Sequence, residues 1–237
     1  AHHNIRRVVI NDINPDLIKL YHIVKTNPQY LIDITLSYQA EYSKRDSGAK
    51  KQMFYQSRDR FNNNSLDENE RAALFLFLNH TCYNGLFRVN NQGKFNVPFG
   101  RYVSTGFDSP ETIMATHRVL NSVELNILRP GDYKNTALHL STRGHNFVYF
   151  DPPYRPLSTT SYFKEYSNDP FGDQQQVELK LFCDRLNRRG CSIMLSNSDS
   201  KNDDGTSFFE TLYEGYNITR IDVPRFINAN GQGRSKI

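Results

Sequence analysis

Val148-Tyr149-Phe150-Asp151-Pro152-Pro153-Tyr154 is the stretch from which the rest of the chain is read. The run from Phe147 to Phe150 is apolar and rich in β-formers, so it reads as a buried strand. It stops abruptly at Asp-Pro-Pro-Tyr. Each proline fixes its own φ, removes a backbone donor and biases the preceding residue towards extended geometry. The strand therefore ends in a stiff corner that carries one acid, carbonyls without competing amides, and one aromatic ring. In open α/β sheets, ligands bind at the carboxyl ends of strands.

Such a corner suits one kind of chemistry. The exocyclic amine of a nucleobase is a poor nucleophile because its lone pair is delocalised into the ring. Two acceptors that grip its N–H bonds draw the nitrogen towards tetrahedral geometry and free that pair. Asp151 and the Pro152 carbonyl are the candidate acceptors, with Pro153 stiffening the turn. Tyr154 offers a face for stacking, a contact worth about 1–3 kcal/mol. The matching reaction is displacement of a methyl group from a sulfonium donor, driven by positioning and electrostatics. On the tetrapeptide alone, a tight Pro-Pro loop whose aspartate caps a helix remains an alternative.

Earlier in the chain, Arg7-Val8-Val9-Ile10-Asn11-Asp12 reads as another buried strand ending in an acid, and Asn14-Pro15 starts a helix. Asp12 would accept from ribose hydroxyls or take part in helix capping; spacing divides these evenly. Pro28 to Tyr42 reads as a helix. Residues 43–62 are basic and polar, interleaved with Phe54 and Tyr55, and suit either a solvated helix face or contact with a DNA backbone. Glu70 to Asn79 is the strongest helix, apolar almost all round and hence buried. A hairpin with flanking loops follows from Thr81 to Tyr102, turning at Asn91-Gln92-Gly93. Within it, Arg88 suits a bidentate contact to guanine, Leu86 and Pro98 suit a thymine methyl, and Tyr83 suits insertion into a base stack. The plainer reading there is a cross-strand aromatic cluster with Arg88 in a salt bridge. Residues 107–122 read as a helix starting at Ser109-Pro110, and Val123 to Ile127 as a short strand leading to Gly131-Asp132-Tyr133, where Asp132 is a candidate ligand residue or a turn acid. Beyond the corner, residues 158–169 read as a loop that closes over DNA. Gln174 to Arg188 reads as a helix, Cys191 to Asn197 as a buried strand ending in a polar turn, Phe208 to Tyr213 as a helix and Ile218 to Val223 as a strand.

The totals agree with one α/β domain carrying an appended region. The chain has 237 residues, 29 basic and 25 acidic side chains, and a formal charge of +4. That balance predicts a basic face rather than a basic tail. The three cysteines, Cys82, Cys183 and Cys191, are widely spaced and without a metal pattern, which suggests a reduced, cytoplasmic setting. No apolar run approaches membrane-spanning length. No metal and no membrane are expected, and a monomer is the expected form.

Asp151-Pro152-Pro153-Tyr154 resembles the catalytic motif of amino-methylating, S-adenosylmethionine-dependent DNA methyltransferases. Pro156-Leu157-Ser158, Phe163 and Tyr166 fit the Dam-type adenine-N6 branch, and the resemblance covers nearly the whole chain. It implies a Rossmann-like sheet formed by residues 1–25 and 107–237, with a helical and hairpin target-recognition insertion at 26–106. It implies methyl transfer from S-adenosylmethionine to adenine N6 in double-stranded DNA, in GATC or a related target such as GATATC, after base flipping. Asn11-Asp12-Ile13-Asn14 is similar to a family Asp-Ile-Asn segment, which favours ribose binding by Asp12. Gly131-Asp132-Tyr133 is similar to the segment beside the donor's adenine, and Asp151 would also lie beside the donor. Asn84-Gly85-Leu86-Phe87-Arg88-Val89-Asn90 and Phe95-Asn96-Val97-Pro98-Phe99-Gly100-Arg101-Tyr102 look like the target-reading segment. The resemblance assigns Arg88 to guanine, Leu86 and Pro98 to thymine and Tyr83 to insertion, with Asn84, Asn96 and Arg101 also on DNA. Two family motifs expected ahead of the first strand, including a Gly-rich donor loop, have no counterpart in residues 1–10. The chain thus reads as lacking that segment, which leaves a DNA-binding fragment without catalysis as the competing expectation. A third is a methyltransferase for RNA or protein amides, where Asn commonly replaces the Asp151 position.

Overall fold

The computed structural model describes residues 5–63, 66–102, 109–141, 145–157, 171–202 and 204–222. They are mixed α/β and fall into two compact units, residues 1–136 and 137–237. The first unit opens with strand β1 (Arg7–Ile10) and helix α1 (Pro15–Thr26). Asn14 caps α1 through its side chain, and Pro15 takes the first helical position, where its missing N–H has no cost. Helices α2 (Pro28–Ser43), α3 (Ser47–Asn62) and α4 (Glu68–Thr81) follow. Asp46 caps α3 and Asp67 caps α4, each carboxylate accepting from backbone N–H groups of the first turn. Helix α5 (Pro110–Asn121), capped by Ser109, leads to strand β2 (Glu124–Ile127). Strand β2 lies parallel to β1, with Arg7 opposite Glu124 and Ile10 opposite Ile127.

Helix α4 organises this unit. Every residue from Ala72 to Leu78 is buried, as its all-round apolar sequence predicts. Leu74, Phe75, Phe77 and Leu78 pack into one core with Tyr42, Phe54 and Phe61 of α2 and α3. Ala72, Ala73 and Leu76 pack into a second core with residues of α1, α2 and α5.

The 82–99 segment folds back on itself as an irregular hairpin. Two isolated antiparallel bridges, Cys82 with Phe99 and Val89 with Phe95, take the place of a continuous ladder. Its return arm alternates: Phe95, Val97 and Phe99 are buried in the first core, Asn96 is half-buried and Pro98 is exposed. Asn62, the last residue of α3, clamps this arm by accepting from Phe95 N (2.8 Å) and donating to Phe95 O (3.0 Å). Where the two arms close, Gly100 has no room for a side chain. A Cβ there would lie 2.5 Å from the Cys82 carbonyl oxygen and 2.3 Å from the Tyr102 ring.

The second unit is built from strand β3 (Phe147–Phe150), helix α6 (Asp173–Arg188), strand β4 (Ser192–Leu195) and the short helix α7 (Phe208–Leu212). Strands β3 and β4 are parallel, with Phe147 opposite Ser192 and Phe150 opposite Leu195. Gln176, Leu179, Phe182, Cys183 and Leu186 form the buried stripe of α6 at helical spacing. Phe150 meets this helix, its ring 6.0 Å from that of Phe182.

Two sequence expectations need correction. β3 and β4 are not buried throughout: Phe147, Tyr149 and Met194 are more than half exposed. Successive side chains in a strand point to opposite sides, and α6 covers one side only. Ile218–Asp222 is not a strand. No neighbouring backbone pairs with Ile218–Ile221 among the described residues; Arg220 anchors the segment through ion pairs to Asp199 (2.8 Å) and Glu210 (2.9 Å). The expected loop at 158–169, and the tail from residue 223, lie outside the described residues.

Phe77 is fully buried, with its ring 5.1 Å from Tyr38 and 6.0 Å from Tyr42. Phe77→Ala should destabilise the protein by about 3–5 kcal/mol in urea unfolding.

Candidate active site

The Asp-Pro-Pro-Tyr corner leaves β3 beside the end of β4, and Ser196 N extends the ladder by one rung to Phe150 O (3.1 Å). Asp151 caps no helix. Its Oδ1 accepts from the Ser196 hydroxyl at 2.8 Å, and that hydroxyl lies 3.0 Å from the Tyr149 hydroxyl. The carboxylate is exposed. The two proline carbonyls differ in their surroundings. Pro153 O accepts from the amide of the wholly buried Gln176 at 2.9 Å, and Gln176 in turn accepts from Asn197 (3.2 Å). The Pro152 carbonyl takes no donor among the described residues.

Arg155 locks the far side of the corner. Its guanidinium is buried, bonds both oxygens of Asp173 (2.8 and 3.3 Å), donates to Lys201 O (3.0 Å) and stacks 4.3 Å from the Phe208 ring centre. Its backbone N donates to Asn197 Oδ1 (3.1 Å). Tyr154 is left about half exposed. Its bond with Ser196 favours the phenolate. Desolvation and the Asp151 carboxylate beside it outweigh that bond and hold the phenol above its ordinary pKa. The ring therefore stays neutral at physiological pH.

A second group of candidates lies in the first unit. Because β1 and β2 are parallel neighbours, their carboxyl ends share one edge. The loops beyond them are tied together: Gly131 N donates to Asp12 O (3.1 Å) and the Asn11 amide to Gly131 O (3.1 Å). Asn14 performs the capping of α1, so Asp12 is not needed for it. One oxygen of Asp12 accepts from Asn14 N (2.7 Å) and one of Asp132 from Lys134 N (2.7 Å). The other oxygen of each has no partner among the described residues. Asn11 Oδ1 is buried without a partner among the described residues.

The hairpin carries a third group of candidates. Asn84 (φ 55°) and Gly85 (φ 61°) turn the chain in the left-handed region, and both Tyr83 and Leu86 emerge exposed. Asn84 N donates to the Tyr102 hydroxyl (3.1 Å). Arg88 Nε donates to Asn96 Oδ1 (2.9 Å), and Asn96 N to Arg88 O (3.1 Å). Arg88 meets an amide rather than the salt-bridge partner of the plainer reading. The aromatic cluster of that reading also exists, on the inward side, where Phe87 lies 5.4 Å from Phe75 and 5.6 Å from Phe95. Pro98 is exposed, and so is Arg101, held at φ 60°.

Residues 1–226 match the family model for D12 class N6 adenine-specific DNA methyltransferases. The chain belongs to this family. It is 39% identical over 231 residues to the type II methyltransferase M.MjaIII of Methanocaldococcus jannaschii, covering 97% of this chain and 76% of the relative. It is 36% identical to the type II methyltransferase M1.LlaDCHI of Lactococcus lactis subsp. cremoris, covering 98% and 77%. It is 33% identical to the DNA adenine methylase of Escherichia coli strain K12, again covering 98% and 77%. Membership of the D12 class fixes the reaction as methylation of DNA at adenine N6, with S-adenosylmethionine as the methyl donor. No helix among the described residues is long and apolar enough to cross a membrane.

Sequence reading of this D12 chain missed Arg155, Gln176, Ser196 and Asn197. Ser196-Asn197 was legible only as a polar turn closing a strand. Gln176 had no signal at all, because a glutamine on a polar helix is ordinary until its burial is seen. Gln176→Leu leaves the Pro153 carbonyl without its donor and the Asn197 Nδ2 without its acceptor. It should cost about 1–3 kcal/mol in thermal unfolding and lower kcat on the order of 10²-fold through misplacement of the corner.

Proposed function

We propose that this chain methylates the adenine of GATC in double-stranded DNA, with the base turned out of the helix. The observation that carries the target assignment is Arg88. Its Nε is held by Asn96 on the exposed side of the hairpin, which orients the terminal nitrogens for a bidentate contact with guanine O6 and N7. Leu86 and Pro98 are exposed on the same hairpin and suit a thymine methyl, and Tyr83 suits insertion where the adenine leaves. Asn84, Asn96 and Arg101 complete the DNA-facing set. Residues 26–106 act as the recognition insertion, and residues 1–25 with 107–237 as a Rossmann-like catalytic domain.

At the corner, the Asp151 carboxylate accepts one N–H of the adenine amine and the Pro152 carbonyl the other. Pro152 suits this role because its carbonyl is open while that of Pro153 is held by Gln176. Both bonds favour a pyramidal nitrogen and raise its nucleophilicity. Tyr154, kept neutral, stacks on the base. Asp12 accepts from the ribose hydroxyls of S-adenosylmethionine and Asp132 from the amine of its adenine. The open carboxylate oxygens and the unpaired Asn11 Oδ1 suit a ligand rich in such donors. That donor, when bound, supplies a methyl group activated by a cationic sulfur.

The test is radiolabelled methyl transfer to a GATC duplex, compared with a GATATC duplex and a permuted duplex. Equal incorporation into all three would reject the target assignment. Asp151→Ala should abolish transfer with duplex affinity nearly unchanged in a mobility-shift titration; retained turnover would remove Asp151 from the chemistry. Arg88→Ala should reduce discrimination at one guanine by about 1–3 kcal/mol. An equal loss on every sequence would make Arg88 a phosphate contact instead.

A further inference from the structure

One polar path from the Asp12 loop towards the recognition hairpin runs through Arg71. Arg71 of α4 donates Nε to Asp16 Oδ1 (2.5 Å) and one terminal nitrogen to Asp16 Oδ2 (3.0 Å). The other terminal nitrogen donates to Phe61 O at 2.8 Å, and the guanidinium lies 4.2 Å from the Phe61 ring centre. The Asp16 side chain is 8% exposed and that of Arg71 is 20% exposed.

Each end of this bridge leads through a few contacts to a residue assigned to a ligand. Asp16 sits in the first turn of α1, where its N–H is held by Asn14, and the N–H of Asn14 is held by Asp12. Phe61 precedes Asn62, whose amide clamps both backbone groups of Phe95. The next residue, Asn96, holds Arg88. A planar guanidinium bonded in a fork cannot slide as a single point charge can, so it ties the end of α3 to the start of α1 in a fixed geometry.

We propose that Arg71 is a positioning residue that couples reading of the target by the hairpin to binding of the donor at the Asp12 loop. The proposal rests on the target and donor assignments above. A chain that has met its own sequence then holds the donor more tightly than one resting on unrelated DNA. By linkage, the donor sharpens sequence discrimination by the same factor.

The experiment is calorimetric titration of S-adenosylhomocysteine, the unreactive demethylated form of the donor, into the protein bound to a GATC duplex or to a permuted duplex. The wild-type ratio of the two affinities should fall in the range of about 5- to 150-fold typical of coupled sites. Arg71→Lys keeps the charge but loses the fork, and should bring the ratio to within about twofold of one, with the affinity on permuted DNA little changed. Asn62→Ala, which cuts the clamp and leaves the ion pair intact, should lower the ratio in the same way. If Arg71→Lys does not fold, the pair D16L/R71M removes both buried charges together and keeps the core packed. It should fold with the ratio still lost. A purely structural Arg71 would lower Tm and leave the ratio at its wild-type value, which would overturn the coupling alone. A wild-type ratio of one with GATC still preferred in methylation would do the same. Absence of any wild-type preference for GATC would overturn both this inference and the target assignment beneath it.

Discussion

Gln176 is wholly buried, and its amide holds the Pro153 carbonyl while its oxygen takes Asn197. A buried glutamine is tolerated only when its polar atoms are paired, so this side chain and the corner fix one another. The consequence reaches the chemistry. Two consecutive prolines supply two carbonyls and no N–H. The fold claims the second carbonyl and leaves the first open beside Asp151. Arg155 and Ser196 reinforce the same choice from other sides. A corner held by three separate anchors is fixed in place, and low reorganisation is how fixed dipoles accelerate a reaction, which is what the proposed grip on the adenine amine requires.

In the first unit the equivalent constraint is burial of α4. Its apolar sequence leaves no face for water, so helices and hairpin must pack around it. Once Phe95, Val97 and Phe99 are drawn into that core, the period of an extended chain puts Asn96 and Pro98 on the other side. The polar and small apolar groups suited to base edges are thus displayed by the same packing that hides the aromatics. Of the plainer alternative that the sequence left open for this segment, the aromatic cluster is present, with Arg88 held by the Asn96 amide rather than by a salt bridge.

The order and type of most elements were legible in the sequence, because caps and prolines mark the helix starts: Asn14-Pro15, Asn27-Pro28 and Ser109-Pro110 all precede helices. The corner after Phe150 was legible for the same reason, since proline geometry is local. What sequence could not supply was anything set by distant partners. Half-exposure of β3 and β4 depends on which side α6 covers. The segment Ile218–Ile221 has strand-like composition but pairs with no backbone among the described residues, and only a fold reveals that. Arg155, Gln176 and Arg71 were invisible as site-shaping residues because each is defined by contacts across 10 to 55 positions of sequence.

The central claim is that Asp151 and the open Pro152 carbonyl together grip the adenine amine. A crystal structure of the chain with a GATC duplex and S-adenosylhomocysteine tests it directly. The adenine N6 should lie about 2.7–3.2 Å from both an Asp151 carboxylate oxygen and the Pro152 carbonyl oxygen, with Pro153 O still bonded to Gln176. An adenine that remains stacked in the duplex, or an amine held by other groups while the Asp151 carboxylate turns away, would contradict it.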